Sequence, residues 1–387
     1  MEKTGIGIVG IGAISGIYLD NLTKLFKEVE IIGVCDLIAG RAQKAADDYG
    51  LKKVYKDMHE LFADPKVEIV LNLTRPYEHF EVTNAALLAG KHVYSEKPIA
   101  VDMDEAAKLV QLAKEKGLLL GGAPDTFLGA GIQTARKIID AGLIGDVVGA
   151  DCAMVCRGHE TWHPDPEFYY KRGGGPMMDM GPYYVTALCN LLGGAKAVMG
   201  MTKKTFGTRL ITSEPHFGDT ISVDVDTHLT GCIEFSGGAI AQIITTFDVH
   251  YSTQARFEVY GTEGSLAVPD PNTFGGNVLL FRSEDNDQPK VDPGSLKPEE
   301  ISLYRGYKHI PLMFGYKENS RALGLADMCK AIKTGRGIRA NSDLQMHVLE
   351  ILTSFSKSYA ERKYIELSTQ YTRGAAMQNL AMPGVLD

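Results

Sequence analysis

Lys97 stands in the tripeptide Glu96-Lys97-Pro98, just after a short apolar run, and further along Asp179 and Tyr183 follow the glycine run Gly173-Gly174-Gly175-Pro176. An i, i+4 spacing puts an acid and a phenol on one helical face, where both reach one substrate. Lysine, aspartate and tyrosine together can move a proton on and off a hydroxyl. Most lysines are simply solvated. One partly buried beside another cation has its pKa lowered toward working pH and serves as an acid–base group. Lys97 is therefore the candidate for proton transfer, with Asp179 and Tyr183 spaced to reach one substrate.

A second constellation opens the chain. Gly10-Ile11-Gly12-Ala13-Ile14-Ser15-Gly16 lies between an apolar strand and a helical pattern. It fits G-x-G-x-x-small: Gly10 for the tight turn, Gly12 for close approach of a pyrophosphate, Ser15 for packing, and a helix N-terminus facing the phosphates. The same motif also occurs as a plain strand-to-helix turn, so its surroundings matter. Asp36 ends the next strand, 20 residues after Gly16. An acid there accepts both ribose hydroxyls and repels a 2′-phosphate, which favours NAD over NADP. Arg41 is the nearby cation that argues the other way. The third strand ends in Thr74-Arg75-Pro76 with His79 beyond it, the fourth in Glu96-Lys97, and the fifth in Pro124-Asp125-Thr126. In a parallel sheet all of these fall on the ligand-binding edge.

His159-Glu160-Thr161-Trp162-His163 is a literal H-E-x-x-H. That pattern binds zinc only on a helix, and here Pro164 and Pro166 follow at once, disfavouring helix before them. No metal is expected. The better reading is a substrate loop, in which Trp162, His163, Tyr169 and Arg172 offer aromatic faces and hydrogen-bonding groups to a small polar molecule. Asp224, Asp226 and His228 alternate and read as sheet-surface residues.

The elements that must position these groups follow from periodicity. Residues 5–123 alternate apolar strands with helical stretches: strands at Gly5–Val9, Glu30–Cys35, Ile69–Leu73, His92–Tyr94 and Leu118–Gly121, and helices at Ala13–Lys27, Arg41–Tyr49, His79–Ala89 and Met103–Lys116. This predicts an α/β fold with a doubly wound parallel sheet. After about residue 125 comes one helix, Gly131–Ala141. Longer strands follow at Asp146–Cys156, Ala197–Phe206, Val223–Phe235, Ala239–Val249, Arg256–Tyr260, Ser265–Val268 and Val278–Phe281. A polar loop at 284–298 and two helices, Ser320–Thr334 and Ser342–Glu361, complete the pattern. The expected organisation is a dinucleotide-binding domain at 1–125, a substrate-binding and oligomerisation domain at 126–368 with a large, mostly antiparallel open sheet, and a tail at 369–387.

Gly10-x-Gly12-x-x-Ser15, Asp36, Thr74-Arg75-Pro76-x-x-His79 and above all Glu96-Lys97-Pro98 resemble the glucose–fructose oxidoreductase and inositol dehydrogenase family, written Gfo/Idh/MocA. The resemblance covers nearly the whole chain. It implies a Rossmann domain, a second domain whose open sheet assembles subunits, and nicotinamide-dependent chemistry on sugars, cyclitols and related polyols. It also implies an acid with a His or Tyr four residues later on the catalytic helix, which Asp179 and Tyr183 match; many relatives carry His at the second place. On this reading the cofactor contacts are Gly10, Gly12, Ala13, Ile14, Ser15, Asp36, Arg41, Thr74, Arg75, Pro76, His79, Glu96 and Lys97. The substrate contacts are Lys97, Trp162, His163, Tyr169, Arg172, Asp179 and Tyr183. Some relatives use NAD to oxidise a glycoside transiently, eliminate the aglycone, hydrate and re-reduce, so a redox-neutral hydrolase is the alternative.

Composition narrows the partners. Of the 387 residues 44% are hydrophobic and 23% charged, and the net charge is −8. An acidic chain is a poor nucleic-acid binder and has no electrostatic reason to dock on an anionic membrane. No apolar run reaches the roughly 18 residues of a membrane span, and the N-terminus lacks the order of a secretion signal. Six cysteines make no disulfide framework, which suits a cytoplasmic protein with reduced thiols. A homodimer or homotetramer is expected, held by one face of the second sheet.

Overall fold

The computed structural model describes residues 3–285, 306–378 and 386. Five parallel strands, β1 (Thr4–Val9), β2 (Val29–Cys35), β3 (Ile69–Asn72), β4 (His92–Ser95) and β5 (Leu120–Gly122), form one sheet in the order β2-β1-β3-β4-β5. β1, β3 and β5 are buried along their whole length, as expected where helices cover both faces of a parallel sheet. The helices are α1 (Ser15–Lys24), α2 (Ala39–Tyr49), α3 (Met58–Ala63), α4 (His79–Leu88) and α5 (Met103–Lys116). α5 matches its sequence boundaries because both ends are signalled. Asp102 accepts from the Glu105 N–H, and Gly117 closes the helix in the left-handed conformation. The six-residue α3 is too short to show a periodicity. Its signal is Asp57, which caps the His59 and Glu60 N–H groups.

The second part of the chain adds α6 (Ala130–Asp140), β6 (Val147–Val155), α7 (Pro176–Asp179), α8 (Gly181–Leu192), β7 (Ala195–Lys203), β8 (Thr208–Leu210), β9 (Thr220–Ser222), β10 (His228–Phe235), β11 (Ile240–Thr246), β12 (Phe257–Gly261), β13 (Gly264–Ala267), β14 (Val278–Arg282), β15 (Lys308–Ile310), α9 (Leu323–Thr334), α10 (Ser342–Glu361) and β16 (Ile365–Glu366). Nine of these strands form a sheet in the order β15-β14-β13-β12-β6-β11-β10-β7-β16. β6–β11 is its one parallel pair. The α/β architecture, with a parallel sheet followed by a large, mostly antiparallel one, is as expected. α8 and α10 cover the inner face of the second sheet, so the outer face is left bare. Met199 and Met201 on that face are 60% and 62% exposed.

Two expectations are corrected. The expected strand Val223–Phe235 begins only at His228. Before it, Val223 and Asp224 donate their N–H groups to the carbonyls of Gly207 and Tyr170, so Asp224 and Asp226 lie in a connection and not on the sheet face. The hairpin of β8 and β9 was not foreseen, because its strands are three residues long. Most of the polar loop at 284–298, and part of the tail, fall outside the described residues. The described tail is pinned down: Thr369 bonds His347 and Glu350, and the Arg339 guanidinium donates to the carbonyls of Ala375 and Ala376.

The last helices return to the first sheet. Gly122 donates to the Ala340 carbonyl, Gln345 Nε2 reaches the Ala123 carbonyl at 3.0 Å, and the Gly324 N–H meets Asp125 at 3.0 Å. This buried seam ties the last helices to the first sheet beside the cleft.

Candidate active site

The carboxyl ends of the parallel strands converge as the alternation predicts. The loop after β1 turns at Gly10, whose φ is +94°; a Cβ there would lie 2.8–2.9 Å from the backbone of Leu73 and Thr74. Only glycine fits that approach. Nothing lies within 4 Å of a Cβ built on Gly12, and α1 begins at Ser15 without a side-chain cap. Free N–H groups therefore face open space beside a residue with no side chain, the cradle that a pyrophosphate requires. Ser15 Oγ instead ties the turn down, donating to the Gly12 carbonyl at 2.8 Å. Ala13 is exposed and Ile14 half-buried beside it. Asp36 accepts from the N–H groups of Ile11 (2.6 Å) and Ile38 (2.7 Å), which holds its carboxylate at the end of β2, over the glycine loop. Arg41 is exposed on α2. These residues fit a dinucleotide.

After β3, Asn72 accepts from the N–H and hydroxyl of Thr74 and donates to the His79 carbonyl. His79 is fully buried, and its ring nitrogens lie 2.6 Å from the Pro98 carbonyl and 3.0 Å from that of Thr74. It was expected to touch the cofactor. Its ring is instead spent on locking the β3 loop to the Lys97–Pro98 turn. Arg75, before the turn opened by Pro76, bonds Tyr77 and pairs with Asp165 of the second domain at 2.8 Å.

Glu96 is buried, accepting from the Tyr18 hydroxyl at 2.7 Å and from the Lys97 N–H at 3.0 Å. This fixes the direction in which Lys97 leaves the sheet. Lys97 Nζ crosses to the second domain and donates to Asp179 twice, to its carbonyl at 2.7 Å and to Oδ1 at 2.8 Å. The two side chains are 15% and 14% exposed. Nζ also lies 5.2 Å from the centre of the Tyr183 ring, and the Arg321 charge acts on the Tyr183 phenol. The structure thus brings Lys97, Asp179 and Tyr183 together, though not on one helical face. Asp179 ends α7, Tyr183 lies in the first turn of α8, and Met180 separates them. Pro182 is the cause: without an N–H it cannot continue a helix, but it starts one readily.

The charge state of Lys97 also differs from expectation. Burial alone would lower its pKa. The Asp179 carboxylate, with Tyr183 and Glu96, outweighs burial and raises it well above the ordinary lysine value. Burial disfavours the Asp179 carboxylate in turn, yet Lys97 and His159 hold it well below the usual carboxylate range. The pair is an ammonium–carboxylate pair, not a neutral amine poised near working pH. Burial also raises the Tyr183 phenol, against the opposing pull of Lys97 and Arg321.

The loop between β6 and α7 closes the site. Trp162 is 61% exposed, while His163 is buried, with Nδ1 accepting from the Asp165 N–H. Burial lowers the pKa of His163. Tyr169 packs on the rings of His159 (4.3 Å) and His163 (5.2 Å). Arg172 is not brought to the Lys97–Asp179 pair. It pairs with Asp102 at 2.8 Å and lines a separate cleft of about 580 Å³ with Gly173–Gly175, Lys204 and Asp226. Two residues at the site were not among those expected there. His159 Nε2 is 2.9 Å from Asp179 Oδ2, and the Arg321 charge acts on Tyr183. The H-E-x-x-H stretch drew attention to His159 as a metal ligand only. Arg321 has no local signal at all.

This geometry agrees with comparisons to known proteins. Residues 4–122 match an oxidoreductase family with an NAD-binding Rossmann fold, and residues 132–267 match the GFO/IDH/MocA C-terminal domain. A 1,5-anhydro-D-fructose reductase from Ensifer adhaerens is 30% identical over 283 residues, covering 71% of this chain and 79% of that protein. The chain belongs to the Gfo/Idh/MocA oxidoreductase family. The inositol 2-dehydrogenase/D-chiro-inositol 3-dehydrogenase of Lactiplantibacillus plantarum is 39% identical over 145 residues, 37% of this chain; the match spans 41% of that protein's own length. Among solved structures, an NAD binding oxidoreductase from Klebsiella pneumoniae shares the fold with a TM-score of 0.80 at 21% identity, over 95% of this chain and 100% of that one. Levoglucosan dehydrogenase in complex with NADH and levoglucosan does so with a TM-score of 0.76 at 20% identity, over 95% and 99%. Family membership makes NAD the cofactor of the N-terminal cradle.

Proposed function

We propose that this member of the Gfo/Idh/MocA family is an NAD-dependent oxidoreductase acting on a CH–OH group of a sugar, glycoside or cyclitol. The observation that carries the reading is the Lys97–Asp179 pair, which spans the cleft at the carboxyl ends of the parallel strands. The named activities of its relatives, on inositol, anhydrofructose and levoglucosan, set the substrate class.

NAD, when bound, supplies the hydride acceptor, a chemistry that belongs to the cofactor. Gly10, Gly12, Ser15 and the N-terminus of α1 take the pyrophosphate, Asp36 takes the ribose hydroxyls, and Thr74, Arg75 and Glu96 border the path toward Lys97. The chain's own contribution is proton handling. The Lys97 ammonium binds the substrate oxygen and, in the reductive direction, gives the new alcohol its proton. In the oxidative direction a hydroxyl proton must go to Lys97 or Tyr183. Because Asp179 favours the Lys97 ammonium, oxidation should quicken as the pH rises. Tyr169, His163 and the open face of Trp162 bind the C–H surface of the ring substrate, while Asp179 orients its hydroxyl.

Two further parts of the proposal rest on the surface and the thiols. The bare outer face of the nine-stranded sheet, with Met199, Met201, Cys232 and Ile240 exposed, forms the contact of a homodimer or homotetramer. The six cysteines are free, and no described helix is long and apolar enough to cross a membrane; we place the enzyme in the reducing cytoplasm. The test of function is NAD reduction with a panel of inositols, aldoses and anhydro sugars. An absence of turnover with every member, by a protein that binds NAD, would overturn the reading.

A further inference from the structure

The H-E-x-x-H stretch is left unexplained by the roles assigned so far. Among the described residues no group of three or more potential ligands is placed to hold a metal, and His159 and His163 do not share a helical face. His159 sits in a short 3-10 turn, His159–Thr161, and its two ring nitrogens have separate partners. Nε2 lies 2.9 Å from Asp179 Oδ2, and Nδ1 lies 3.2 Å from Trp162 Nε1. An indole nitrogen only donates. Nδ1 must therefore accept, so in the neutral imidazole the proton sits on Nε2, aimed at the carboxylate. Asp179 is gripped from both sides, by Lys97 on Oδ1 and by His159 on Oδ2.

The loop that presents this ring is itself fixed from below. Glu160 is buried, accepts from the Tyr170 hydroxyl, and pairs with Arg209 at 3.2 Å. Arg209 in turn pairs with Asp248 at 3.4 Å and donates to the Arg157 carbonyl at 2.9 Å. All three charged side chains are almost fully buried. The His159 ring also rests against Tyr169 and, at 4.6 Å, Phe247. A ring so enclosed cannot swing away from Asp179.

We propose that His159 is a positioning residue for the Lys97–Asp179 pair, locked in its Nε2–H form by Trp162 and presented by a loop that the Glu160–Arg209–Asp248 cluster clamps. The proposal rests on reading that pair as the acid–base centre. It gives a half-exposed rim residue, Trp162, a direct hydrogen-bonded connection to the carboxylate that governs Lys97. The other titratable groups facing this centre are Glu96 and Tyr183 on the far side of Lys97, and Tyr169, His163 and Cys156 on the loop and strand side.

The experiment uses the full chain with NAD bound and has two arms. Nitrogen NMR of 15N-histidine protein near pH 8 reads the tautomer. In the wild type the neutral form of His159 should carry its proton on Nε2, and Trp162→Phe, which keeps a ring but loses the N–H, should release a second population with the proton on Nδ1. A wild-type ring protonated on Nδ1, or one unchanged by Trp162→Phe, overturns the lock. In the kinetic arm, His159→Ala should lower kcat at least tenfold and move the rise of the oxidation rate to higher pH by about one unit, as the Asp179 carboxylate, without its donor on Oδ2, holds the Lys97 proton more tightly. His159→Gln, which can still donate to Oδ2, should recover most of both. A His159→Ala profile superimposable on wild type, with only KM raised, would make His159 a substrate contact and overturn the proposal. Should the wild type turn over no polyol, the functional reading falls, and the nitrogen spectra still decide the lock.

Discussion

Replacing Asp179 by Asn removes the charge that keeps Lys97 an ammonium. The groups are 2.8 Å apart and about one-seventh exposed. Coulomb's law at an effective dielectric of ~20 gives roughly 6 kcal/mol for that separation. Each pH unit is worth ~1.4 kcal/mol, so losing even half of this attraction moves the Lys97 titration by about two pH units. The direction follows from the opposing causes. Burial pushes the lysine down and the carboxylate, with Tyr183 and Glu96, pushes it up past its ordinary value; without the carboxylate, burial gains. The neutral amine that takes a hydroxyl proton is then present at lower pH. The assay is the initial rate of NAD reduction against pH, with the polyol the wild type oxidises fastest. Wild-type rates should climb through the whole alkaline range. Asp179→Asn should show its rise displaced about two units to lower pH and level off within that range, with rates lowered roughly 10²-fold because the hydroxyl is no longer oriented. A limb that stays in place, or moves to higher pH, would refute the argument that Asp179 sets the charge of Lys97.

Other consequences are open to measurement. NAD should bind at least tenfold more tightly than NADP, and Asp36→Ala should shrink that ratio several-fold by calorimetry; equal wild-type affinities would remove the role given to Asp36. Gly10→Ala combines a left-handed φ with a backbone clash and should cost more than about 1 kcal/mol in thermal unfolding while abolishing NAD binding. His347 is fully buried, its Nε2 accepting from the Ala195 N–H at 2.9 Å, and burial pushes its pKa down to about 4 against a small opposing effect of Glu350. The unfolded chain binds that proton near pH 6.5 and the folded protein does not. Stability is therefore whole above about 6.5 and falls by roughly 3 kcal/mol as pH drops toward 4. His347→Gln should flatten that part of the unfolding curve, and an unchanged slope would assign the acid sensitivity elsewhere. Finally, light scattering should find the wild type in the proposed homo-oligomer and Met199→Glu with Met201→Glu monomeric; an assembly that persists in the variant would place the contact on another face.

The parts of this molecule legible in the sequence are those in which the signal lies within a few residues of its consequence. Gly10 announces its own turn, Asp102 and Gly117 announce both ends of α5, and the strand–helix alternation announces the parallel sheet. Glu96-Lys97-Pro98 names the lysine and its place at a strand end. What was not legible depends on partners far along the chain. Lys97 and Asp179 are 82 residues apart, and the contact inverts the expected effect on the lysine. Burial beside a cation argues for a neutral amine, and only the carboxylate across the cleft makes it an ammonium. The break at Met180 had a local signal in Gly181-Pro182. The i, i+4 spacing of Asp179 and Tyr183 pointed to one continuous helix and masked it.

His159 shows the same limit from the other side. Prolines at 164 and 166 argued against a helix, and the stretch forms a short 3-10 turn, but excluding one role for an imidazole does not supply another. Its role comes from the donors and acceptors its two nitrogens meet. An indole on Nδ1 and a carboxylate on Nε2 determine where a neutral ring keeps its proton, and that proton in turn keeps Asp179 a carboxylate and Lys97 its partner. On the proposed assignment, protons in this cleft are governed by a chain of four side chains, Trp162, His159, Asp179 and Lys97, drawn from a loop, a helix end and a strand end. Altering any one of them should change the proton affinity of the next, which is why the pH dependence of turnover is a sharper probe of this site than the turnover rate itself.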